Sequence, residues 1–109
     1  MSDASTNNPT TFAKAPILQY TTPAAASTVN INAGQTVNLI VNPSGTIASL
    51  TMTMNGSPTD GDVVNICSSQ IVTLLTMNGG TIIGALTSLA VASFASYIYS
   101  GTALQWFKI

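Results

Sequence analysis

Few side chains in this sequence can do acid–base, nucleophilic or metal chemistry. Its 109 residues include no His, Glu or Arg, and the ionisable groups are Asp3, Asp60, Asp62, Lys14, Lys108, Cys67 and three tyrosines. General acid–base catalysis needs a group whose pKa can be brought near the working pH, most often His. The closest remaining pair, Asp60 and Asp62, brackets a glycine in the run Ser57-Pro58-Thr59-Asp60-Gly61-Asp62, where turn chemistry accounts for both carboxylates. A calcium ion wants about six to eight oxygens, more than this loop supplies. Cys67 ends the apolar run Val63-Val64-Asn65-Ile66 and reads as a small buried hydrophobe. Without a His or a second Cys it can enter neither a Cys-His dyad, an intrachain disulfide nor a transition-metal site of ordinary ligand count. The expectation is no catalytic residue, no metal and no cofactor, hence no enzyme.

The scarcity of charge also constrains partners. Only 5% of the residues are charged and the formal net charge is −1, against about 25% charged residues in an ordinary soluble domain. Solubility must come from a surface of Ser, Thr and Asn, from burial against other subunits, or from both. Two lysines cannot neutralise a phosphate backbone, so nucleic acid is excluded as a partner. The first residues, Met1 to Asn8, lack the basic flank and apolar stretch of a secretory signal, so synthesis in a reducing cytoplasm is expected. Ile82 to Tyr99 is apolar enough to resemble a membrane span, but it contains Thr87, Ser88, Ser93 and Ser96 and has no basic flank. No membrane association is expected.

The elements that position these residues read as β-strands. Residues 1–27 carry Pro9, Pro16 and Pro23 among Thr, Asn and Ala. Proline fixes its own φ and drives the preceding residue to extended geometry, so this segment reads as an extended arm without a core. Phe12, Ile17, Leu18 and Tyr20 are its apolar anchors and the candidate partner-binding residues. Residues 28–109 read as one β-sandwich or barrel domain. Val29 and Ile31, then Val37, Leu39 and Val41, alternate with polar residues around Ala33-Gly34-Gln35, which predicts a hairpin. Asn42-Pro43-Ser44-Gly45 suits a type I turn. Leu50, Met52 and Met54 alternate with Ser49, Thr51 and Thr53 in the next strand. Gln70 to Met77 is apolar on both faces, as in a strand covered by a second sheet or by a neighbouring subunit. Leu89 to Tyr99 and Ala103 to Ile109 complete about eight short strands, an antiparallel sandwich or barrel. Phe94, Tyr97, Tyr99, Trp106 and Phe107 fall in the last two strands, where aromatics serve as core or interface and could also stack on a sugar.

The runs Asn42-Pro43-Ser44-Gly45-Thr46-Ile47-Ala48-Ser49-Leu50-Thr51 and Ser57-Pro58-Thr59-Asp60-Gly61-Asp62-Val63-Val64-Asn65-Ile66, with Ile71 to Thr76, Gly79 to Ile82, Tyr97-Ile98-Tyr99 and Trp106, resemble a β module of bacteriophage virion proteins. The likeness covers Asn42 to Ile109 and rests on turn and strand patterns, not on a chemical signature. It implies a structural role in the virion, as a capsid decoration or head-fibre protein or as the C-terminal part of a tail fibre or tailspike, commonly as a homotrimer, and brings no active site. Only a short arm precedes the module, where a fibre needs a shaft. The expectation is therefore a decoration protein on the capsid surface, anchored to the major capsid protein by its arm. The alternatives are a receptor-binding tail tip with a host glycan as partner and, from a different class, a small membrane protein such as a holin.

Overall fold

A computed structural model describes residues 15–109 of the chain. The described residues form nine strands and no helix: β1 (Ile17–Thr21), β2 (Ser27–Asn30), β3 (Thr36–Val41), β4 (Ile47–Thr53), β5 (Val63–Ser68), β6 (Val72–Asn78), β7 (Ile82–Ile83), β8 (Ser93–Ser100) and β9 (Gln105–Lys108). The all-β expectation holds. The antiparallel one does not, because the first six strands pair in parallel.

The chain winds in a solenoid-like stack. Each coil contributes one strand to a larger sheet and the next strand to a smaller one. The larger sheet runs β1-β3-β5-β8-β9-β7 and the smaller β2-β4-β6. Val29 to Ile31 and Val37 to Val41 are therefore not a hairpin: β2 pairs with β4 and β3 with β5, in different sheets. Ala33-Gly34-Gln35 is a corner between sheets, and a Cβ on Gly34 would lie 2.5 Å from Ile17 Cδ1, so a larger residue there would push the end of the Ile17 side chain aside.

Stacking in register builds the core. Ile17, Val37, Val64 and Tyr97 form one inward row of the larger sheet, and Gln19, Leu39, Ile66 and Ala95 the next. Ser27, Leu50 and Leu75, with Val29, Met52 and Met77, face them from the smaller sheet. Val37, Val41, Met52, Val72 and Tyr97 are wholly inaccessible. At the β1–β2 end the Gln19 side chain bridges the coil, its Nε2 donating to Asn30 O (2.8 Å) and its Oε1 accepting from Asn32 N (2.8 Å). This satisfies backbone groups that no other described strand reaches.

The other end is closed by the C-terminal residues. β8 runs antiparallel to β5, β9 antiparallel to β8, and β7 parallel to β9. Residues 84–90 cover the open edge of β6, where Leu89 and Val72 exchange backbone hydrogen bonds of 3.0 Å and Leu75 N donates to Thr87 O. A sheet edge covered in this way offers no template for pairing. The apolar stretch Ile82 to Tyr99 is thus edge cover and strand, and among the described residues no helix is long and apolar enough to cross a membrane.

Candidate functional site

Two surfaces are candidates for function. The first is the outward face of the larger sheet. Side chains alternate across a strand, so the residues between the buried positions point outward and line up across the sheet. Tyr20, Ile40, Cys67 and Phe94 form one transverse row. Thr36, Val63, Ile98, Phe107 and Ile83 form another. Between them runs Leu18, Asn38, Asn65 and Ser96, in which Asn65 Nδ2 donates to Asn38 Oδ1 (2.9 Å) and Ser96 Oγ to Asn65 Oδ1 (2.7 Å). Leu18 is 66%, Tyr20 59% and Phe94 69% exposed. None of the residues in these rows is charged.

The residues singled out in the arm divide on this frame. Phe12 lies outside the described residues. Ile17 belongs to the fold rather than to an arm, since it packs against the core. Leu18 and Tyr20 point outward from β1, and Asn42 Nδ2 donates to the Tyr20 hydroxyl (2.6 Å). Cys67 is exposed, contrary to the buried position expected of it. The apolar run Val63 to Cys67 misled because the sheet is apolar on both faces, so hydrophobicity there does not report the inside. The sequence reading also missed Ile40, Val63 and Ile98 as outward residues, and only the pairing register brings them beside Tyr20, Phe94 and Phe107.

Asp60 and Asp62 serve the fold. Asp62 is buried and its Oδ2 accepts from Thr59 N (2.8 Å), closing the turn. Asp60 Oδ1 accepts from Gly101 N (2.7 Å), and Gly61 N donates to Tyr99 O, so the turn is fastened to the β8–β9 hairpin. Among the described residues no group of three or more His, Cys, Asp or Glu could hold a metal ion. Tyr97 is buried with its hydroxyl donating to Gly84 O (2.8 Å). Burial raises its pKa above the ordinary tyrosine value, partly offset by a backbone hydrogen bond from Leu86.

The second surface is a hollow of about 280 Å³ where the turns at 55–58 and 79–81 meet the β8–β9 hairpin. Tyr99 lines it, and the almost wholly buried Trp106 packs against Tyr99 edge to face with ring centroids 5.2 Å apart. Asn55, Gln105 and the Gly79-Gly80 backbone supply its polar groups, and no charged residue lines it.

Compared with known proteins, the chain matches no family model, no curated protein and no solved structure. The resemblance to phage modules therefore stands on its turn and strand motifs alone.

Proposed function

We propose that the chain is a structural protein of a phage virion. It assembles as a homo-oligomer, a trimer with the three faces turned to one axis, and decorates the capsid surface with its N-terminal segment on the major capsid protein. The observation that carries this reading is the outward face of the larger sheet. Two apolar rows and an amide row without a single charge make a poor water-facing surface, and exposed apolar patches of this kind mark interaction sites.

A second copy of the chain suits the face better than a charged partner. Amides and hydroxyls both donate and accept, so the Asn38-Asn65-Ser96 row can meet its own copy without like-charge conflict. The 31 residues of its six strands, at about 3.3 Å per residue and about 4.8 Å between strands, give a projected area of roughly 500 Å². Accessible area exceeds projected area, which brings the face near the ~800 Å² per partner of a stable interface. Three copies around an axis close such an interface without leaving a face open.

The experiment has two parts. Sedimentation of the purified protein is expected to give a trimer at micromolar concentration, and a stable monomer overturns the assembly reading. Removal of residues 1–14, which leaves β1 in place, is expected to keep the oligomer and abolish incorporation into capsids. Truncated protein that decorates capsids at full occupancy overturns the anchoring role.

A further inference from the structure

We infer that the hollow beside Trp106 is a binding site for a neutral pyranose sugar, a role separate from assembly. Tyr99 and Trp106 face inward from the larger sheet, so the site stays open whether or not the outward face is covered.

Two observations converge on the hollow. First, its shape and chemistry are two-sided. Leu104 and Tyr99 make an apolar wall, with the almost wholly buried Trp106 packed against Tyr99, while the Asn55 and Gln105 amides and the Gly80 backbone lie around it. A pyranose is built the same way, with an apolar C–H face and a rim of hydroxyls that each donate and accept. Side-chain amides, which carry both donors and acceptors, are matched to such a rim. The Asn55 Oδ1 already accepts from Ser57 N (2.9 Å), which holds that amide in place. Second, Leu104 is 71% exposed at the rim with a φ of +57°. A leucine is rarely found in that left-handed region, and no packing accounts for its exposure. The hairpin imposes the conformation through Leu104 N to Ser100 O (2.8 Å) and Ala103 N to Ser100 Oγ (3.0 Å).

Charge and size narrow the ligand. A carboxylate, phosphate or ammonium would lose water against a lining with no opposite charge to meet it, so the ligand is neutral. The volume sits at the lower end for ligand pockets and suits one ring rather than a chain of them.

The chain has one tryptophan, so the site carries its own reporter. The intact protein is titrated with D-glucose, D-galactose and N-acetyl-D-glucosamine to about 50 mM, following tryptophan fluorescence and saturation-transfer NMR. At least one sugar is expected to bind saturably with a dissociation constant on the order of 1–10 mM. Gly56 lines the hollow with an ordinary φ, and a Cβ there meets nothing within 4 Å, so Gly56→Gln fills the space without straining the fold. That variant is expected to keep the wild-type circular dichroism and lose binding. Gln105→Ala, which removes one amide, is expected to weaken binding about five- to tenfold. Dextran separates the two sources of such a ring: binding of free glucose alone assigns a free sugar, and binding of both assigns a glycan. No signal from any of the three sugars overturns the inference. So does unchanged affinity in both Gly56→Gln and Gln105→Ala. Neither outcome touches the sedimentation result.

Discussion

Placing a charge at the centre of the outward face separates folding from assembly. Cys67 sits between Ile40 and Phe94 in an outward row and is exposed in the single chain. In the free subunit Cys67→Asp leaves the carboxylate in water. Its cost there is that of a surface change, about 0.5 kcal/mol, with up to ~1 kcal/mol more for aspartate in a strand. At roughly 4–8 °C per kcal/mol for a domain of this size, the melting temperature falls by at most about 12 °C. In an assembly that covers the face, the same carboxylate is buried among Tyr20, Ile40 and Phe94 with no cation in these rows. An uncompensated buried charge costs about 3–5 kcal/mol, which weakens each interface roughly 100- to 4,000-fold. Sedimentation velocity over a concentration series, with far-ultraviolet circular dichroism on the same samples, reads both effects. A folded monomer is expected at concentrations where the wild type is oligomeric. Thr51→Asp, on the outward face of the smaller sheet, is the control and is expected to assemble normally. If Cys67→Asp assembles with wild-type affinity, the larger sheet's outward face is not the interface.

Three further outcomes are expected. The Cys67 thiol should react rapidly with a maleimide in dilute monomer and at least tenfold more slowly in the oligomer; equal rates in both states count against burial of the row. Gly79→Ala should lower the melting temperature by more than about 10 °C, because φ there is +97° and a Cβ would lie 2.7 Å from the Met54 backbone N and O; Gly56→Ala, which meets open space, should change it by only a few degrees, and similar losses in the two variants would refute the close-approach account. The raised Tyr97 pKa means that the unfolded chain loses this proton first as pH rises, so its contribution is intact below about pH 10 and is lost as pH climbs through the folded value; Tyr97→Phe should cost about 1 kcal/mol at neutral pH for the lost Gly84 hydrogen bond and flatten the alkaline decline, and an equally steep decline in the variant would assign it elsewhere.

The strands were legible because alternation has a period of two in any sheet, whichever way its neighbours run. Leu39 and Val41, like Leu50, Met52 and Met54, are buried as their spacing predicts. That same indifference to direction hid the parallel pairing. A further signal was in the sequence: Val37-Asn38-Leu39 and Val64-Asn65-Ile66 are near copies that stack in register, as are Leu50-Thr51-Met52 and Leu75-Thr76-Met77. Internal repetition is the mark of stacked coils and would have pointed to the solenoid. The candidate sites were harder to see. Tyr20 and Cys67 are 47 positions apart and become neighbours through Ile40 only when two registers are known. The hollow joins Asn55, Gly80 and Trp106, and no spacing rule connects a turn after β4 with a strand at the C-terminus.

The two sheets meet the shortage of charge differently, and the contrast bears on the proposed assembly through the larger sheet. The smaller sheet turns outward the rows Thr28, Thr51, Thr76 and Asn30, Thr53, Asn78, whose hydroxyls and amides bond to water in place of charges, with Leu74, paired with Ser49, as the exposed apolar exception. Threonine is also a favoured strand residue, so this face gains solubility with no loss of sheet propensity. Nothing in sheet geometry prevents the larger sheet from doing the same at Ile40, Val63, Phe94, Ile98 and Phe107. Its strands place apolar side chains there, next to an amide row that alone would have satisfied water. Burying even part of this surface at about 25 cal/mol per Å² favours association, whereas leaving it in water favours aggregation at random. A mainly hydroxylated face on one side and a mainly apolar one on the other support the proposed assembly through the larger sheet.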